Sequence, residues 1–230
     1  MKRYGILCAF LFLMSCVAAE ECQMLLPEAK QKEILGGRWY PQSSRQRISS
    51  AAVRDGFASL GKKDFDGAMR EFNRAWRFDP KNTEAYWGAA ILFGMKADAE
   101  KSPSSALDMI EASLKLFKKA EEYLPDDAVA RENWQFDYAS SLFVAGKIRA
   151  VSDRTTGEKY FADAEKIWLA LLENRDMQKQ RDKMVYCRAC MHLTRLYEAW
   201  NKKELQTKYH EKLLAELKKD PSLRKHLQLY

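Results

Sequence analysis

Apolar residues recur at spacings of three and four along most of the chain, which is the period of one face of an α-helix. Alanine, leucine, lysine, glutamate and arginine are abundant, and no alternating β-branched run of strand length occurs. The sequence therefore predicts an all-α fold. We predict four helix pairs, at residues 48–61 and 65–78, 83–97 and 104–123, 128–150 and 157–173, and 179–200 and 202–218.

The segment from residue 65 to residue 93 has the clearest pattern. Its first helix carries Ala68, Phe72 and Ala75 on one face. Proline lacks an amide hydrogen and disfavours a helical residue before it, so Asp79-Pro80 ends this helix. Asn82 or Thr83 is expected to cap the next helix. The apolar face of that second helix consists of Tyr86, Ala89, Ala90 and Phe93.

This order of small residues, proline, and an aromatic residue followed by alanines resembles the tetratricopeptide repeat (TPR). Three later segments repeat parts of it: Phe117, Ala120 and Pro125; Ala164 and Trp168; and Tyr186, Ala189, Cys190 and Leu193. The resemblance covers roughly residues 49–221. It implies antiparallel helix pairs stacked as a right-handed superhelix. The alternative is an irregular helical bundle without repeat geometry.

The resemblance also implies a binding surface, because the first helices of successive pairs in this family line a groove that holds a peptide or a helix. The matching positions are candidates for the partner-binding groove: Trp87, Ile91, Cys187, Met191 and Arg195. A looser mapping adds Phe57, Phe136 and Phe143, of which Phe136 is counted among the groove candidates. For the phenylalanines, a place in the hydrophobic core is the stronger alternative.

The N-terminal residues have the pattern of an export signal. A short basic head precedes an apolar run that is too short for a permanent membrane anchor. Leu13-Met14-Ser15-Cys16 resembles the lipobox of bacterial lipoproteins, which implies a signal peptide of residues 1–15 and acylation of Cys16. Alternatively, ordinary signal peptidase cuts after residue 19. We predict a tether at 16–47, a helical repeat domain at 48–221 and a tail at 222–230.

Charge adds little to this picture. The formal net charge is +7, and removing Lys2 and Arg3 with the signal leaves 37 basic against 32 acidic residues, or +5. Basic and acidic residues alternate, as on a solvated helix surface. We therefore expect no nucleic-acid partner. The expected partner is a protein or peptide of the cell envelope, with the membrane itself reached through a lipid anchor.

Cysteine spacing offers one alternative chemistry. Cys187 and Cys190 have the spacing of a redox or metal motif, but they lie within a helical pattern rather than a βαβ unit. A disulfide between two of the three residues Cys22, Cys187 and Cys190 is an alternative, since exported proteins meet an oxidising compartment. His192 points away from both cysteines of this helix, which argues against a metal site.

No sequence motif for hydrolysis, phosphate binding or metalloprotease chemistry is present. We therefore expect no enzyme activity and no cofactor. The leading hypothesis is a scaffold or adaptor, a TPR lipoprotein of a periplasmic or outer-membrane assembly. Val17 after the cysteine favours the outer membrane. The alternatives are a soluble periplasmic protein that uses the Cys187/Cys190 pair, and an enzyme of unrecognised type in a helical bundle.

Overall fold

The computed structural model describes residues 22–35, 40–173 and 175–227. The predicted export signal and Cys16 lie outside these residues. The chain divides into two compact units, Met1–Asp127 and Ala128–Tyr230. The described residues contain helices and connecting turns but no strand, so the prediction of an all-α fold is confirmed. Within the same ranges, no helix combines the length and the apolar composition needed to cross a bilayer.

The helices lie close to their predicted positions. In the first unit a 3₁₀ turn, Gln23–Leu25, precedes α1 (Glu28–Leu35), α2 (Gln42–Gly61), α3 (Phe65–Phe78), α4 (Thr83–Ala99) and α5 (Pro103–Glu121). The second unit contains α6 (Ala128–Ser152), α7 (Arg154–Ala170), α8 (Gln180–Ala199), α9 (Lys203–Lys219) and α10 (Leu223–Leu227). We find that the two helices of each predicted pair pack against each other, in α2/α3, α4/α5, α6/α7 and α8/α9.

The main difference from prediction is the start of α2. This helix begins at Gln42 rather than at residue 48, directly after Pro41. Two hydrogen bonds to α3 hold the early turns of α2 in place. Arg45 Nε donates to the carbonyl of Phe78 at 2.9 Å. Ser49 Oγ donates to the carbonyl of Ala75 at 2.9 Å. Residues 42–47 are polar and show no apolar helical pattern, so the sequence did not predict a helix there. The early turns of α2 are stabilised by α3 and not by an apolar face of their own.

Side-chain caps explain why several helices begin where they do. Asn82 caps α4, since its side-chain oxygen accepts from the backbone nitrogens of Glu84 and Ala85 at 2.9 and 3.3 Å. Of the two candidates at this start, Asn82 is therefore the cap. Asp64 caps α3 by accepting from Gly67 N at 2.9 Å. Each of these bonds satisfies an amide that the helix itself leaves without an acceptor.

The core of the first unit is built around Phe72, which is completely buried. The ring contacts two other helices through glycines. A Cβ built on Gly56 of α2 would lie 2.6 Å from this ring, and one built on Gly88 of α4 would lie 2.2 Å from it. Both helices thus reach α3 only because these positions carry no side chain. As a result α4 packs against both α2 and α3.

The proline turn between α3 and α4 is held by two buried aromatic residues. Trp76 Nε1 donates to Tyr86 Oη at 2.9 Å. The same hydroxyl donates to the carbonyl of Pro80 at 3.0 Å. Burial raises the pKa of Tyr86 to about 12, so the hydroxyl keeps its proton. Pro80, which predicted the turn, is therefore tied by hydrogen bonds to side chains of the helices on either side.

The second unit repeats this packing order. Its third helix, α8, contacts both α6 and α7, as α4 contacts α2 and α3. Glycine again admits an aromatic ring: a Cβ on Gly146 of α6 would lie 2.4 Å from Phe161 of α7. Trp168 and Tyr197 are almost completely buried. The start of α8 is held by Arg175, which pairs with Glu132 of α6 and with Asp182 of α8.

Candidate functional site

The candidate groove positions of the first unit lie on α4 and remain partly accessible. Trp87 and Ile91 are both half-buried, at a spacing of four residues. Met95 continues the same face one turn later and is 37 % exposed. We call these three residues the α4 stripe. Met95 was not among the positions predicted from the sequence, although the spacing of Trp87 and Ile91 extends to it.

The candidate positions of the second unit divide between core and surface. Phe136 and Cys187 are buried, at 3 % and 0 % exposure. Met191 is half-buried, and Arg195 is exposed. The side chains of Phe136 and Cys187 are therefore not accessible to a partner in this conformation. The core alternative that the sequence raised for the phenylalanines describes the place of Phe136.

Phe136 belongs to a buried aromatic cluster that sequence analysis did not identify. His192 of α8 meets the Phe136 ring edge to face, with centroids 4.9 Å apart. It also lies 5.0 Å from the ring of Trp168. The guanidinium of Arg188 is 4.0 Å from the Phe136 ring centre, which is the geometry of a cation–π contact. This second-unit cluster joins three helices.

The histidine of this cluster is neutral. Burial lowers the pKa of His192 to about 3, and the positive charges of Arg195 and Arg188 act in the same direction. Its Nε2 atom is inaccessible to solvent and has no hydrogen-bond partner among the described residues, and the same holds for Trp168 Nε1. The residue as a whole is half-buried, and its neutral imidazole packs on two aromatic rings as a structural side chain.

The cysteines of the candidate disulfide are all buried. Cys22, Cys187 and Cys190 have no exposed surface, and each is a thiol. Burial raises the pKa of Cys187 to about 11, with a further contribution from Glu216. Burial likewise raises the pKa of Cys190 to about 12. Since the thiolate is the reactive form, both thiols of α8 are poor nucleophiles at neutral pH.

Metal-ligating side chains do not converge in the described parts of the chain. No group of three histidine, cysteine, aspartate or glutamate side chains there has the arrangement to hold a metal ion. His192 packs against the rings of Phe136 and Trp168, and both thiols of α8 are buried.

A cleft of the first unit was not predicted. Its volume is about 820 Å³, and it lies between the N-terminal turn, the start of α2 and one face of α3. Its lining combines polar or charged residues with three apolar ones: Gln23, Arg70, Glu71, Asn73, Arg74 and Arg77, with Tyr40, Ile48 and Phe78. We call it the arginine cleft. Arginines at 70, 74 and 77 have helical spacing, but sequence alone does not show that the N-terminal turn lies beside them.

Comparison of the chain with protein-family models, with curated proteins and with solved structures finds no match. The class of protein therefore rests on the architecture itself. It is an all-helical protein of consecutive helix pairs that pack on each other within each of two compact units. The first unit presents two accessible features, the α4 stripe and the arginine cleft.

Proposed function

We propose that this chain is a non-enzymatic scaffold that binds another protein, with its helix pairs arranged as a TPR-like superhelix. The support is the packing order within each unit, where the third helix contacts both helices of the preceding pair. Stacking of this kind buries the apolar faces between neighbouring pairs and leaves one side of each first helix for a ligand. Fold alone does not define a function, so the proposal also needs an accessible surface that fits a partner.

The α4 stripe is that surface. Trp87, Ile91 and Met95 place a large apolar area at successive turns of one helix, and all three keep some exposure. Such an i, i+4, i+8 arrangement fits an apolar side of a partner helix or an extended peptide. Tryptophan is also among the residues that contribute most to protein–protein interfaces. The α4 stripe is the single observation on which the proposal rests most heavily.

We place the scaffold in a bacterial cell envelope. This part of the proposal comes from residues 1–19, with their basic head, short apolar run and Ser15-Cys16 pair. In this view Cys16 is acylated and anchors the chain, with the outer membrane favoured. Several acyl chains on one cysteine would make that anchoring stable, whereas a single chain binds only marginally. The alternative is a soluble periplasmic protein cut after residue 19.

The thiol-active alternative finds no support at the cysteines. Cys187 and Cys190 are buried, and their raised pKa values keep them protonated at neutral pH. A redox-active thiol is expected to be accessible and to have a lowered pKa. These properties favour a structural role for both cysteines.

A site-specific crosslinking experiment tests the scaffold proposal. A photo-reactive amino acid is placed at Ile91, and the chain is irradiated in cells with and without Met95→Glu. We expect one defined envelope protein to be captured, and we expect the added carboxylate to abolish that product because it must be desolvated at the interface. Leu214→Glu is the matched control, since Leu214 is also an exposed apolar helix residue, at 46 % exposure. It should leave the product unchanged.

The opposite results are equally clear. A product that survives Met95→Glu places the interface away from the α4 stripe. A chain that captures no defined protein from Ile91 contradicts the scaffold proposal at this surface. Anchoring is tested separately by metabolic labelling with a fatty-acid analogue, which Cys16→Ser should eliminate. Labelling that persists in this variant excludes Cys16 as the lipidated residue.

A further inference from the structure

The arginine cleft has an excess of positive charge on a single helix face. Arg70, Arg74 and Arg77 line it at the i, i+4 and i+7 positions of α3, against one acidic residue, Glu71. Arg74 Nη1 lies 3.2 Å from Glu71 Oε2 in an exposed ion pair, which contributes little on its own. An anionic ligand would therefore meet the two remaining guanidinium groups without having to displace an acidic side chain among the described residues.

One of these guanidinium groups is already oriented. The backbone nitrogen of Gln23 donates to Asn73 Oδ1 at 3.0 Å, which fixes the N-terminal turn on α3. The side-chain oxygen of Gln23 then accepts from Arg77 Nε at 2.5 Å. With Nε engaged, the donors that Arg77 presents to a ligand are its two terminal amino groups. This planar pair matches the two oxygens of a carboxylate, and its orientation is set before binding.

The apolar part of the lining indicates what kind of anion fits. Tyr40 is 47 % exposed, and its ring lies 5.5 Å from that of Phe78 in an edge-to-face contact. Ile48 completes the apolar surface. A small inorganic anion would leave these side chains uncovered, and a flat membrane surface would not enter a concave cleft. A peptide supplies both carboxylates and apolar groups, and a cleft of about 820 Å³ holds several of its residues.

We infer that the arginine cleft binds an acidic peptide segment of a partner protein, with carboxylates on Arg77 and Arg70 and an apolar side chain against Tyr40 and Phe78. The inference rests on the proposed function, because it gives the scaffold a second contact with defined chemistry. It is separate from the α4 stripe, so each surface is tested without the other. Electrostatic attraction also predicts that binding weakens as salt concentration rises.

Fluorescence anisotropy tests this inference with the full-length chain. The probe is a short fluorescein-labelled peptide of glutamate and serine with one central leucine. The control peptide carries glutamine at every glutamate position. We expect the glutamate peptide to bind at least about tenfold more tightly than the control, as lost charge-assisted hydrogen bonds predict. Equal binding of both peptides would overturn the inference.

Variants separate charge, geometry and orientation. Arg77→Gln should weaken binding about tenfold, and Arg77→Lys should also weaken it, because lysine keeps the charge but loses the planar donor pair. Gln23→Ala should cause a smaller loss, since every arginine remains but Arg77 is no longer oriented. Arg54→Gln is the matched control, because Arg54 is an exposed arginine of α2 outside the cleft. It should leave binding unchanged.

Three results would refute the inference. If Arg54→Gln weakens binding as much as Arg77→Gln, only overall charge matters. If Arg77→Lys binds as well as the unchanged chain, the donor geometry has no role. If the peptide fails while vesicles containing phosphatidylglycerol bind with the same dependence on Arg77, the cleft is a lipid contact. A defined crosslink from Ile91 together with a failed peptide would remove this inference and leave the scaffold proposal standing.

Discussion

Replacing Asn82 by aspartate exchanges one group at the start of α4, the side-chain NH2, for an oxygen. Asparagine and aspartate are equally good helix caps in general, because either side-chain oxygen accepts from the first free amides. Here the other end of the Asn82 amide also has a partner. Its Nδ2 donates to Ser49 Oγ of α2 at 2.7 Å. The hydroxyl of Ser49 is already directed to the carbonyl of Ala75 at 2.9 Å.

The structure therefore predicts a cost for this replacement. An aspartate keeps the cap but places a second acceptor against Ser49 Oγ, which is completely buried. The Ser49 hydroxyl then loses the hydrogen bond that Asn82 donated and faces two acceptors. This change costs about 2 kcal/mol. A negative charge at the helix N-terminus offsets about 0.5 kcal/mol of this. We expect Asn82→Asp to destabilise the first unit by about 1.5 kcal/mol near pH 7.

Amide hydrogen exchange followed by mass spectrometry measures this effect locally. Peptides from residues 83–99 should exchange about tenfold faster in the Asn82→Asp chain, as a loss of about 1.4 kcal/mol implies. Peptides from the second unit serve as an internal reference. The difference should shrink below about pH 4, because a protonated carboxyl group regains a donor. Asp64→Asn is the matched control, and it should change exchange little, because the cap it provides to Gly67 N survives.

A double-mutant cycle identifies the cause. In the Ser49→Ala background the conflicting acceptor is absent, so Asn82→Asp should cost about 1 kcal/mol less than in the unchanged chain. The carbonyl of Ala75 still accepts from Asp79 N at 2.9 Å, so it keeps a partner in this background. If Asn82→Asp exchanges like the unchanged chain, or if the Ser49→Ala background gives no relief, the reasoning is refuted.

Three further predictions concern packing, pH and reactivity. Gly88→Ala should destabilise the chain by about 1–3 kcal/mol in urea denaturation, because the added methyl group meets the buried ring of Phe72. Gly61→Ala should not, because a Cβ at that position has no neighbouring atom within 4 Å. The folded-state pKa of His192 is lowered to about 3, below its ordinary value of about 6.5, so its contribution to stability is lost as pH falls between these values. His192→Gln should flatten the thermal stability profile there, and an unchanged slope would contradict a neutral imidazole in the folded chain. Alkylation at pH 7, mapped by mass spectrometry, should leave Cys190 unmodified until denaturant is added, and rapid reaction in the native chain would contradict its burial.

Local chemistry determined which parts of this chain became helices. Pro80 lacks an amide hydrogen and Asn82 accepts from free amides, so the end of α3 and the start of α4 follow from neighbouring residues alone. Apolar spacing likewise predicted the four helix pairs within a few residues. The start of α2 at Gln42 was not predicted from neighbouring residues, because the hydrogen bonds that stabilise it join Arg45 and Ser49 to carbonyls of α3.

Tertiary structure decided which residues of an apolar face remain accessible. Trp87 and Phe136 were both groove candidates, with the core as the stronger alternative for Phe136. In the fold the first is half-buried and the second lies against His192 and Trp168. Helical spacing defines a face without naming the neighbour that covers it. The arginine cleft has the same origin, since Gln23 reaches Arg77 across a separation of 54 residues. Contacts between residues so distant in sequence leave no periodic signal, so only the folded chain brings them together.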